Sequence, residues 1–152
     1  MKEANGDDKK TTNPEEEVTT YLEKLKYALD QDNTIITIQE VRQVDSERPL
    51  EHTNKYTLAQ LFPDESPKEA VRRELSTLKV NEYLETVKDL RYPKLSEFWV
   101  FGRRYNDKDV YIKIRVEIVQ RNSVLVMSFH FSTRKFVDND FPYAKGGEGK
   151  TA

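Results

Sequence analysis

Cysteine is absent from the chain, which excludes disulfide frameworks, thiolate zinc sites and cysteine nucleophiles and is compatible with a reducing intracellular setting. Long apolar runs are missing as well. None approaches the ~20 residues that a membrane helix needs, and the polar, acidic start lacks the basic and then apolar layout of a secretory signal. The expectation is a cytoplasmic chain with no membrane partner. Histidine occurs only at His52 and His130, with no paired carboxylate near either in sequence, so neither a metal nor a small-molecule cofactor is expected. His52 lies in a polar stretch and reads as a solvated side chain. No Ser, His, Asp series has a nucleophile turn, and no internal repeat is present. The run GGEGKT near the end lacks the leading glycine of a phosphate loop, because position 144 is Ala144, and no room follows it for the required helix.

What is present is enough for one core: 152 residues, 36% of them hydrophobic, with the apolar positions concentrated between Val18 and Phe136. Charge is uneven. The overall −2 conceals a basic segment, residues 91–136, where Arg91, Lys94, Arg103, Arg104, Lys108, Lys113, Arg115, Arg121, Arg134 and Lys135 face only Glu97, Asp107, Asp109 and Glu117. A basic, strand-rich segment on an acidic chain suits an anionic ligand, nucleic acid included. The plainer reading is that strand edges and loops carry Lys and Arg for solubility and to block edge pairing.

The chain divides into a disordered arm (1–12), a single α+β domain (13–136) and a flexible tail (137–152). Asn13 as cap, Pro14 at the first position and Glu15, Glu16 and Glu17 in the first turn open a helix, whose stripe is Val18, Tyr21, Leu22, Leu25, Ala28 and Leu29. Residues 34–44 read as a strand, with Ile36, Ile38, Val41 and Val44 candidates to face inward, residues 45–55 as a loop, and YTLAQLFP as a helical turn. Ser66, Pro67 and Glu69 start a second helix with a capping box. Residues 81–93 read as a third, capped by Asn81, with Tyr83, Leu84, Val87 and Leu90 on one face and Pro93 closing it. EFWVFGRRY, DVYIKIRVEIV and VLVMSFHFS then form three antiparallel strands. Helices before strands imply an α+β fold in which N-terminal helices pack on a C-terminal antiparallel β-meander.

The middle strand alternates without a slip. Val110, Ile112, Ile114, Val116 and Ile118 take one face; Tyr111, Lys113, Arg115 and Glu117 take the other. A two-residue turn at Arg121 and Asn122 sets Ile118 against Leu125, Ile114 against Phe129, Lys113 against His130, Arg115 against Ser128 and Tyr111 against Ser132, at ~5 Å between Cβ atoms. Whether Arg103 joins this face depends on the first turn. Three residues there bring Trp99, Phe101 and Arg103 beside the row; two bring Phe98 and Val100. Tyr111, Lys113, Arg115 and His130 form a set suited to metal-free RNA cleavage: His130 as acid or base, Lys113 and Arg115 on the anionic transition state, and Tyr111 orienting or exchanging a proton. Arg103, Arg104, Arg121, Arg134 and Lys135 would hold RNA. The competing reading makes all of these ordinary residues of an exposed sheet face.

At DVYIKIRVEI and VLVMSFHFS, within residues 75–131, the sequence resembles the MqsR branch of the RelE-like ribonuclease toxins of bacterial type II toxin–antitoxin systems. The resemblance implies a RelE-like α+β (BECR) fold, mRNA cleavage without metal, and a cognate antitoxin that covers the toxin. The family's tyrosine in V-Y-x-K-I falls on Tyr111, and the basic residue after S-F falls on His130. Two positions depart: the family's helix lysine falls at Glu85, and a strand glutamine falls near Phe98. Three functions remain open on the sequence. They are a toxin-like endoribonuclease, a non-catalytic module binding nucleic acid or protein, and an accessory protein of a mobile element whose meander face is covered by its own helices.

Overall fold

The first helix, α1 (Glu15–Leu29), forms where its acidic first turn and apolar stripe require. Its buried residues are Val18, Tyr21, Leu22, Leu25, Ala28 and Leu29, the expected stripe. Pro14 is the N-cap, one residue later than Asn13, and its carbonyl accepts from Glu17 and Val18 N–H. The computed structural model describes residues 8–39, 50–118 and 120–144. The 40–44 part of the expected strand, with Val41 and Val44, and the GGEGKT run lie outside them.

Two strands flank α1 in sequence, β1 (Asp8–Thr11) and β2 (Ile35–Ile38). After a 3-10 turn (Leu50–His52) come α2 (Asn54–Leu61) and α3 (Pro67–Leu75). Ser66 caps α3 by accepting from Glu69 N–H at 3.2 Å. Four strands follow: β3 (Tyr83–Asp89), β4 (Phe98–Tyr105), β5 (Lys108–Glu117) and β6 (Ser123–Phe131). They join one six-stranded sheet of order β1-β3-β4-β5-β6-β2. The class is α+β with helices mostly before strands, but the sheet is mixed rather than a simple antiparallel meander, because β2 pairs parallel with β6. No described helix is long and apolar enough to cross a membrane.

Three expectations are corrected. Residues 81–93 are not a helix: Val80–Glu82 is a 3-10 turn and β3 follows. The spacing of Tyr83, Leu84 and Val87 fits a helix face, but it equally fits a strand with a bulge, and strand neighbours on both sides decide the matter. A register shift between Tyr83 and Glu85 sends Tyr83 into the helix-side core and Leu84 and Val87 to the opposite face, while Leu90 is left half exposed. The arm is not wholly disordered, since Asp8–Thr11 pairs with β3 as a short, charged edge strand, a form that discourages further pairing. Nor is the tail loose from its start. A 3-10 turn, Asp138–Asp140, is followed by Phe141 packed edge-on to Phe136, and the Tyr143 hydroxyl donates to Asn13 O.

The main core lies between the helices and one sheet face. Ile112, Ile114, Val124, Val126 and Phe129 enter it from the sheet, together with Phe101 and Trp99. Trp99 stacks on Tyr21 of α1 at 4.1 Å between centroids. Arg103 projects from β4 to this same side. It reaches the end of α3, where its guanidinium bonds Glu82, Thr77 and Glu74.

The outer edge of β6 shows how α2 is held. β2 pairs only as far as Val126. Beyond it, Asn54 Nδ2 donates to Met127 O at 3.1 Å and to Gln39 O at 2.7 Å, while its Oδ1 accepts from Phe129 N–H at 2.9 Å. Thr57 Oγ1 accepts from Phe131 N–H at 2.9 Å, and His52 Nδ1 sits 2.9 Å from Phe131 O. Side chains of the turn and α2 thus do the work of a neighbouring strand, as buried backbone groups require.

Candidate nucleic-acid interface

Tyr111, Lys113 and Arg115 leave β5 on the face away from the helices. The turn between β4 and β5 contains two residues, Asn106 and Asp107, since Tyr105 pairs with Lys108, and Asn106 takes the required positive φ of 59°, a conformation asparagine tolerates. This register places Val100 and Gly102 opposite Lys113 and Tyr111. Arg103 therefore does not join the face.

The β5–β6 register differs from the expected one. Pairing ends at Glu117 and Ser123 instead of closing on a two-residue turn, and a bulge falls between Lys113 and Ile114, leaving Met127 as the extra residue. Tyr111 is therefore opposite His130, Lys113 opposite Ser128 and Arg115 opposite Leu125. Leu125, expected on the core face against Ile118, is on the second face, and Ile118 is exposed. The bulge reverses sidedness along half of β6, which no register argument based on unbroken alternation contains.

The four residues are thus on one face, but not equally placed. The Tyr111 and His130 rings stack at 5.6 Å with 25° between planes. Both are buried, at 6% and 3% exposure. His130 Nδ1 is 3.0 Å from Phe131 O; a carbonyl only accepts, so Nδ1 carries a proton. Around them lies a second, smaller core: Val87, Phe98, Val100, Tyr111 and Phe136, with Leu84, Leu125, Met127 and Phe141 packed on it. The row opposite the aliphatic one is therefore structural over half its length. The further half is cationic. Lys113 Nζ lies 5.1 Å and Arg115 Cζ 4.1 Å from the Phe98 ring centre, within cation–π range. Arg115 Nε donates to Ser96 O at 3.0 Å, and burial pulls its pKa below the ordinary arginine value. A cleft of about 500 Å³ opens there, lined by Lys94, Ser96, Arg115, Glu117, Ser123 and Leu125.

Phe136 closes the other end. A Cβ added to Gly102 would lie 2.6 Å from Phe136 Cε2 and 3.2 Å from Leu84 Cδ1, so β4 needs glycine here for the ring to lie flat on the strand. Gly102→Ala should cost about 1–3 kcal/mol as an overpacking change, read as a lower Tm together with a shifted Phe136 ring resonance. An unchanged Tm would mean that the ring moves aside freely.

The expected RNA-binding set is divided. Arg103 is withdrawn into its network, with its side chain 13% exposed. Arg104 pairs with Asp109 at 2.9 Å. Arg121 is exposed in the β5–β6 connection, at the opposite end of the hairpin from Arg134 and Lys135. Those two line a second cleft of about 480 Å³ that also holds His52, which is not a solvated loop residue. Of the two positions that depart from the resembled family, Glu85 lies in β3 and pairs with Lys10 at 3.3 Å, and Phe98 carries the two cations. Among the described residues no group of three or more acidic or histidine side chains is arranged to hold a metal ion.

Arg134 fixes the segment after β6 by a double hydrogen bond to Asp140, and these bonds hold the Asp140 carboxyl below the usual carboxylate range. A depressed folded pKa stabilises above the unfolded value of about 3.9 and ceases to do so as pH falls through the folded one. The Tm difference between the native protein and Asp140→Asn should therefore be present at neutral pH and shrink on acidification below that range. A difference that grows in acid would contradict the assignment.

Comparison of the chain with protein-family models, with curated proteins and with solved structures gives no match.

Proposed function

We propose that this protein is a non-catalytic RNA-binding module that uses the cationic half of the second sheet face. The observation that carries this reading is the contrast within the row. Tyr111 and His130 are locked into a buried pair, while Lys113 and Arg115 are held over Phe98 and Arg115 lines, with Lys94, a cleft large enough for a nucleotide unit. General acid–base work needs a histidine within reach of the reacting proton, whereas phosphate binding needs only cations at the surface. The surplus of Lys and Arg in residues 91–136 supports an anionic partner.

Binding of a labelled single-stranded RNA should weaken steeply with salt, the logarithmic slope being about −0.7 per phosphate contact. Lys94→Ala combined with Arg115→Ala should weaken binding and flatten that slope, and His130→Ala should leave turnover at zero. Salt-independent binding, or none, would end the proposal.

One observation favours a second reading, the direct opposition of Tyr111 and His130 with Lys113 two positions further along β5 on the same face. In that reading the chain is a metal-independent endoribonuclease of the MqsR type. The 2′-hydroxyl attacks the phosphate, and a cognate antitoxin protein covers the face. It requires cleavage in EDTA with cyclic phosphate ends, lost in Tyr111→Phe and His130→Ala.

A further inference from the structure

We infer that the cleft at the open end of the β5–β6 hairpin is a separate site for a single nucleotide, with the phosphate held by Lys108 and Lys135. The cleft, about 480 Å³, is bounded by His52 and Tyr56 on one side and by the loop after β6 on the other. Small-ligand sites of this kind run from ~300 to ~1,000 Å³.

The charge inventory favours an anion. Asp109 lines the cleft, but its carboxylate is committed to Arg104 at 2.9 Å and to Phe136 N–H at 2.8 Å. Arg134 is committed to Asp140. Neither Lys108 nor Lys135 has a carboxylate partner among the described residues, and Asp107 is the remaining acid on the wall. Lys108 Nζ is instead poised 5.4 Å from the Phe131 ring centre.

The walls are fixed before any ligand arrives. Ser132 N–H donates to Asp109 O at 2.8 Å, and Arg134 N–H donates to Ser132 Oγ at 3.2 Å, so the loop carrying Lys135 is held to the start of β5. Tyr56 meets Phe131 edge-on at 6.3 Å, giving an aromatic wall for a base. The His52 ring, on the same wall as Tyr56, is oriented by Phe131 O 2.9 Å from its Nδ1, so that nitrogen is the donor to the chain and the ring is fixed in place at the cleft. A wall of tyrosine and histidine opposite two lysines recognises a base and a phosphate together. Preorganisation of this kind lowers the ordering cost of binding.

The test is titration of the full chain with adenosine monophosphate, adenosine, inorganic phosphate, and a pentanucleotide with and without a 5′-phosphate, followed by calorimetry and amide shifts. Adenosine monophosphate should shift the Ser132 and Thr133 amides, and adenosine should bind at least tenfold more weakly. Lys108→Ala with Lys135→Ala should reduce nucleotide affinity at least tenfold without lowering the Tm. His52→Asn keeps a donor for Phe131 O and removes the ring from the cleft wall. Weakened binding in a folded His52→Asn protein supports ligand contact, and unchanged binding overturns that part. A preference for the 5′-phosphorylated strand supports a strand end as the source; preference for the free nucleotide supports a small-molecule source. Equal binding of adenosine and its monophosphate, or full affinity in the double lysine variant, overturns the site. Because Lys94 and Arg115 are at the other end of the hairpin, failure here with salt-sensitive RNA binding intact, or the reverse, separates the two proposals.

Discussion

Replacing Arg103 by alanine should lower stability more than the loss of any other single charge among the described residues. Its guanidinium donates to Glu82 through Nε at 2.9 Å and Nη2 at 2.8 Å, to Thr77 Oγ1 at 2.8 Å and O at 2.7 Å, and to Glu74 O at 3.1 Å. All five of its protons are used. Burial alone would lower the Arg103 pKa, but the hydrogen bonds and charge of Glu82 outweigh it and hold the group above the ordinary arginine value. The Tyr105 hydroxyl leans on Glu74 in the same network, and burial and that carboxylate both push its pKa up. Removing the cation leaves two partly buried carboxylates facing an empty site, at a cost of about 3 kcal/mol or more. At roughly 2–4 °C per kcal/mol for a chain of this length, the Tm should fall by roughly 6–12 °C. Lysine cannot restore the fork, because it offers one point charge in place of a planar array. Arg73→Ala is the contrast. That residue also bonds two carboxylates, Glu65 and Glu74, but on the surface, where ion pairs contribute little, and its Tm should hardly move. Equal Tm losses in the two variants would show that Arg103 is not the clasp between the end of α3 and β4.

Asn54→Ala should produce the second large loss. The side chain is 5% exposed and serves three backbone groups, Gln39 O just past the end of β2 and Met127 O and Phe129 N–H of β6. Truncation strands all three, each at about 1–3 kcal/mol when buried without a partner. Allowing for the second lone pairs of the carbonyls, a net loss of about 3 kcal/mol is expected, against about 1 kcal/mol for Thr57→Val, which removes only the acceptor for Phe131 N–H. Thermal melts of the two variants give the ratio directly. Near-equal values would mean that the α2 side chains do not substitute for a strand.

These two residues show what the sequence disclosed and what it withheld. Local rules were sufficient for α1, for the capped start of α3 and for the three consecutive strands, because stripe, cap and alternation are all contained within one segment. The sidedness of Tyr111, Lys113 and Arg115 was legible for the same reason. Asn54 was read as loop because its partners are 15 to 75 positions away in the chain. The burial of His130 and Tyr111 was equally hidden. It depends on Phe136 and Phe141 returning over the face and on a bulge at Met127 that alternation does not announce. His52 gave no signal beyond its ring chemistry; its placement beside Lys108 and Lys135 needed the hairpin to be closed first.

The surrogate edge on β6 also sets the order in which parts of the molecule let go. Phe129 and Phe131 amides depend on groups more than 70 positions earlier in the chain, not on an adjacent strand. Lifting α2 away therefore exposes both to solvent while the β4–β5–β6 ladder stays intact. In a hydrogen-exchange experiment the two amides should exchange together with the α2 backbone as one cooperative unit, ahead of Ile112 and Ile114 in the central strand. The cleft bounded by His52 and Tyr56 would then open on the same timescale as α2 detaches.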